Sequence, residues 1–203
     1  MKHFLLLMLF LPLMGLAQKK QKGSYYLELT KVEANSTGTI ERNDTTTYSW
    51  VDNVISIKFR KAYGSVRFIL ENKSDSTLKV DWNEAVLINT DGNSYKLIHG
   101  DTKYFDKEKE QVPTTVYRKS KITEVVAPSD YIIYKSGSWE RKEFLAGDRD
   151  LAIFSIYNPE LINKEVRLVL PILLGNNKIE YAFYFRTIFV NKDDFWKAQK
   201  NFF

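Results

Sequence analysis

The chain contains no cysteine. That excludes disulfides, thiolate metal sites, a cysteine nucleophile, thioether-linked haem and a lipid-modified N-terminal cysteine. Histidine is scarce as well: there are 2, His3 and His99, and His3 lies in a segment read below as a removable signal. Zinc sites built on several imidazoles are therefore excluded, and a serine triad would have to use His99. The 9 glycines are scattered and form no phosphate-cradling loop. Past the N-terminal segment, no apolar run approaches the roughly 20 residues that cross a bilayer as a helix. The charge excess is small, a formal +5, and its basic clusters at 18–22 and 58–61 are short. No concentrated basic face for nucleic acid is expected.

What is present is ordinary globular material. Of 203 residues, 44% are hydrophobic and 27% charged, enough for one domain with a real core. Met1 to Ala17 has a positive Lys2, an apolar run from Phe4 to Met14, and small residues Gly15 and Ala17 at the positions a signal peptidase reads. Residues 1–17 are expected to be a cleaved export signal and 18–23 a flexible basic leader. Export places the protein in the periplasm or at the cell surface, with no transmembrane segment after cleavage.

From residue 24 to 192 the dominant period is two, the mark of half-buried strands. Tyr25 to Val32, Val54 to Phe59, Ser65 to Glu71, Leu78 to Trp82, Ala85 to Asn89, Ser94 to Ile98 and Lys121 to Val126 read as strands. Thr90-Asp91-Gly92-Asn93 is a hairpin turn, since Asp-Gly supplies positive φ. Residues 33–47 are rich in Asn, Ser, Thr and Gly and read as a long loop or weak hairpin. Residues 100–119, with Pro113, read as a surface excursion. Leu151 to Tyr157, Glu165 to Leu174 and Ile179 to Val190 are three further strands, the last two joined across Gly175-Asn176-Asn177. In the tail, 193–203, Phe195, Ala198 and Phe202 share a stripe at helical spacing. The fold expected is an all-β, antiparallel immunoglobulin-like sandwich of about eight to ten strands with a short C-terminal helix. An outer-membrane barrel was weighed against it. The tail lacks strand alternation, and Glu165 to Leu174 lacks the lipid-out, polar-in dyad.

The segment Phe68-Ile-Leu-Glu-Asn-Lys-Ser-Asp75, followed by Leu78 to Ala85 with Trp82, then Asp91-Gly92-Asn93 and Leu97-Ile-His-Gly100, resembles a group of small exported proteins of Gram-negative bacteria. These have immunoglobulin-like sandwich folds and no established catalytic residues. The resemblance implies the fold and an inward-facing Trp82, and it brings no activity. Many of the group are lipid-anchored through a cysteine, which this chain lacks.

Candidate chemistry is sparse. His99, with Asp91 across the hairpin, is a candidate general base, since imidazole is the side chain that ordinarily titrates near neutrality. No Gly-x-Ser-x-Gly elbow accompanies it, so a histidine tying down a loop is the favoured reading. Carboxylates pair at Asp81/Glu84, Glu108/Glu110, Asp148/Asp150 and Asp193/Asp194, and read as solvated turn charges before they read as a glycosidase couple. An EF-hand starting at Asp91 fails, because Lys96 and Thr102 stand where Gly and Glu are required. No cofactor and no metal site is expected. The aromatics Tyr131, Tyr134, Trp139 and Phe144 form the candidate ligand-binding surface, since rings on loops supply contact area at low entropic cost. Covering a sheet end is the plainer role for them. The functional expectation is an exported, non-enzymatic binding or structural module of the cell envelope, docking a protein or glycan partner. The alternative is a carboxylate-based hydrolase of envelope polysaccharide or peptidoglycan.

Overall fold

The structure, a computed structural model, describes residues 22–44, 46–62, 64–142, 155–156, 159–191 and 194. The strands are β1 (Lys22–Glu33), β2 (Thr39–Arg42), β3 (Thr47–Val51), β4 (Ile55–Ala62), β5 (Ser65–Asn72), β6 (Leu78–Val80), β7 (Val86–Ile88) and β8 (Ser94–His99). They continue with β9 (Thr114–Val116), β10 (Lys121–Pro128), β11 (Ile132–Lys135), β12 (Ser138–Arg141), β13 (Ser155–Ile156), β14 (Glu165–Leu174) and β15 (Asn177–Asn191). Among the described residues the fold is all-β and every strand pair is antiparallel. Among the described residues the 3-10 turns are Tyr104–Asp106, Ser129–Tyr131 and Pro159–Leu161, and no helix there is long and apolar enough to cross a membrane. The expected C-terminal helix at 193–203 lies outside the described residues apart from Asp194.

Thirteen strands join in the order β13-β1-β15-β14-β7-β8-β10-β5-β4-β3-β2, with β6 and β9 branching from β14 and the β11-β12 hairpin standing apart. The crossing point is β8. Its first half pairs with β7 and its last residues, Leu97 to His99, pair with β10. The two halves face each other across one core, where Phe59 of β4 meets Phe183 and Phe185 of β15 edge-on at 4.7 and 5.2 Å. The sheet also curls, so that β1 lies beside β2, β3 and β4.

Alternation explains most of the elements. In β5, Val66, Phe68, Leu70 and Asn72 are buried while Arg67, Ile69 and Glu71 look the other way. In β15, Tyr181, Phe183 and Phe185 form the buried file. The Asp-Gly turn behaves as expected, with Gly92 at φ 82° and Asn89 Oδ1 accepting from the backbone N–H groups of Asp91 and Asn93. Asn72 likewise holds the turn after β5: its Oδ1 accepts from Ser74, and its amide donates to the carbonyls of Ser76 and Val116. Pro171 sits inside β14 opposite the interruption between β6 and β7, where its missing N–H is tolerated.

Of the two alternatives read at 33–47, a long loop or a weak hairpin, the structure forms the hairpin: an edge strand, β2, pairs with β3 over Thr39 to Arg42. The excursion after β8 is not wholly superficial, because β9 pairs with β6 and Gln111 is buried. Gln111 donates to the carbonyls of Leu97 and Trp82 and accepts from the His99 N–H and the Thr102 hydroxyl. Its buried amide satisfies backbone groups that a loop would otherwise leave unpaired.

Candidate functional site

The outward face of β5, β10 and β8 forms the floor of a groove of about 780 Å³. Alternation sets its composition: Ser65, Arg67, Val125, Ala127 and Ile98 point away from the core. One wall is the β11-β12 hairpin, through Ile132, Glu140, Arg141 and Lys142, and Tyr104 also lines the groove. A small apolar cluster of Ile98, Ala127 and Ile132, with Tyr104 against it, anchors the hairpin to the floor. Lys107 adds a polar tie, donating to the carbonyls of Ser129 at 3.0 Å and Ile132 at 3.1 Å.

The hairpin presents the aromatics. Tyr134 and Trp139 are directly opposite in register, their rings in edge contact at 5.3 Å. Trp139 also meets Tyr104 at 6.2 Å, so the three rings run outward from the groove wall. Tyr134 is 62% exposed and Trp139 40%, unusual for rings of this size in a folded chain. Tyr131 lies apart: it packs edge-on against Tyr95 at 5.2 Å, and burial pushes its phenol above the usual range. Phe144 lies outside the described residues.

His99 is buried behind the groove. Its ring stacks on Trp82 at 4.8 Å, and its Nδ1 is 3.8 Å from Glu124 Oε2. Asp91 remains at the hairpin tip and is not its partner. The same histidine borders a second cleft of about 530 Å³ with Asp101, Asp106 and Gln111. Trp82 is fully buried and donates to Thr114 Oγ1 at 2.8 Å, which places it in the core.

Four of the carboxylates picked out in sequence have partners outside the groove. Asp81 accepts from the Asn83 N–H, Glu84 pairs with Lys178, Glu108 with Lys107, and Asp194 bonds Asn191. Asp148 and Asp150 lie outside the described residues. Among the described residues no group of His, Asp and Glu side chains could hold a metal ion.

Sequence reasoning missed Arg67 and Glu124. Each reads as a solvated residue on a strand's polar face; only strand pairing brings Arg67 to the groove floor and Glu124 to His99. No family model, no curated protein and no solved structure matches this chain.

Proposed function

We propose that this protein is an exported, non-enzymatic binding module of the cell envelope that docks a glycan on the groove and the β11-β12 hairpin. The observation that carries the reading is the exposed Tyr134 and Trp139 pair beside that groove. Pyranose rings present apolar C–H faces that stack on aromatic rings, while groove-lining polar groups such as Arg141 and Glu140 fix orientation through hydroxyls. The signal-like residues 1–17 support export to the periplasm or cell surface. Facing halves and antiparallel pairing support the immunoglobulin-like sandwich as the finer description of the fold.

The test is retention of the purified protein on immobilised envelope glycans, with a parallel pull-down from solubilised envelope. Glycan retention that is lost in a Tyr134→Ala, Trp139→Ala double variant of unchanged melting temperature is the expected result. An enriched protein partner without glycan retention refutes the reading, as does substrate turnover that His99→Ala abolishes.

A further inference from the structure

On the opposite half, Arg167 pairs with Glu165 at 2.9 Å and Arg186 with Glu28. On the groove floor, Arg67 of β5 lies opposite Val125 of β10, which adds no charge. Arg67 has its Nε buried and without a hydrogen-bond partner, and among the described residues no carboxylate pairs with it or with Arg141.

Arg67, Arg141 and Lys142 all line the groove, and Glu140 is the one carboxylate among its described lining residues; Glu124 lies 3.8 Å from His99 Nδ1. A guanidinium that no carboxylate neutralises, a second arginine on the facing wall and a lysine beside it match the charge of a carboxylate or phosphate.

We propose that the groove is an anion site, and that the glycan it takes is acidic. Arg67 receives the carboxylate or phosphate of one sugar unit from the floor, Arg141 closes on it from the hairpin, and neighbouring sugar rings stack on Tyr134 and Trp139. The proposal rests on the glycan reading above and adds the ligand's charge and the residue that reads it.

The test titrates the whole purified protein with oligogalacturonate, with a phosphorylated mannan fragment and with neutral malto-oligosaccharide of similar length, using calorimetry and tryptophan fluorescence at 50 and 200 mM salt. The expected result is at least tenfold tighter binding of one acidic sugar than of the neutral one. Whichever acidic sugar binds tighter identifies the group as carboxylate or phosphate. Arg67→Gln should erase that preference. Arg67→Lys, which keeps the charge but loses the fork, should retain only part of it, and it serves as the test if the glutamine variant does not fold.

Equal affinity for acidic and neutral sugars overturns the anion site and leaves the glycan reading standing. An acidic preference that Arg67→Gln and Arg67→Lys leave unchanged also overturns it, since that is diffuse charge attraction. Absence of binding to any sugar overturns both. If polyglutamate displaces the acidic sugar with equal affinity, the site reads acidic protein and the saccharide assignment falls.

Discussion

Asp52 is the residue whose removal tests the packing argument most sharply. It is 5% exposed and sits in the turn between β3 and β4. Its Oδ1 accepts from the backbone N–H groups of Val54 at 2.8 Å and Ile55 at 2.7 Å. Its Oδ2 accepts from the Ser36 hydroxyl at 2.5 Å, the Tyr181 hydroxyl at 2.9 Å and the Trp50 indole N–H at 3.4 Å. One carboxylate thereby joins the turn to β15 across the core. Asp52→Ala strips all five donors at once. The Ile55 N–H and the Tyr181 hydroxyl are buried, and each stripped buried donor costs about 1–3 kcal/mol. The Trp50 contact is long and contributes least, Val54 and Ser36 can turn to water, and loss of a buried charge relieves some desolvation.

The net expectation for Asp52→Ala is a destabilisation of about 3–4 kcal/mol. For Asp52→Asn it is about half as much, because the hydroxyls of Ser36 and Tyr181 can rotate to accept from the carboxamide whereas the indole cannot. Urea unfolding followed by far-UV circular dichroism measures both, and an unchanged slope keeps the comparison a matter of stability. A loss below about 1 kcal/mol for Asp52→Ala would refute the reasoning, since it would mean that water or a neighbour replaces every acceptor.

Three further outcomes can be checked. Burial, then the charge of Asp52, pushes the Tyr181 phenol upward, so the folded chain holds that proton where the unfolded chain has lost it. Stability is therefore full below about pH 10 and falls as pH rises beyond it; Tyr181→Phe should flatten that alkaline limb in thermal melts, leaving a residual slope from Tyr48 and Tyr131, which shift the same way. Gly92→Ala meets open space but must adopt φ 82°, a penalty of about 1–2 kcal/mol, whereas Gly38→Ala drives a methyl to 2.3 Å from the Trp50 ring and should lose more than Gly92→Ala in the same urea assay. Trp82→Ala removes a fully buried ring together with its bond to Thr114 and should cost about 3–5 kcal/mol; a calorimetric melt within a few degrees of the parent would show that the site collapses onto His99 instead.

Where a strand has one wet face, the sequence states it. Val66, Phe68 and Leu70 alternate with Arg67, Ile69 and Glu71, and β5 follows directly. In β3, by contrast, Thr47, Tyr48, Ser49 and Trp50 are all buried. Two polar residues covered from outside leave no period to read, and the strand carries no signal of its own. The short β9 gave a similar result: three residues after Pro113, with Val116 alone buried, carry too little pattern to be told from loop. The β11-β12 hairpin did leave a signal. Ser136 and Gly137 both take positive φ, 52° and 85°, and Ser-Gly between Tyr134 and Trp139 is a two-residue turn motif.

The same distinction separates the two parts of the candidate site. Tyr134 and Trp139 were legible because their aromatic character survives without knowledge of any partner, and the hairpin that pairs them is local. Arg67 carried no message alone, since an arginine on a strand's polar face is the expected solvated residue. Its meaning comes from register, opposite Val125 on the groove floor, and from a wall delivered more than 60 residues further along by Arg141 and Lys142. That wall is fixed before any ligand arrives: Lys107 holds the carbonyls at the hairpin's base, and Ile98, Ala127 and Ile132 close its foot. Preorganisation of this kind lowers the ordering entropy that binding must overcome. A groove walled by buried contacts, with an arginine on its floor that no carboxylate neutralises, is therefore better suited to recognition than a mobile loop carrying the same residues.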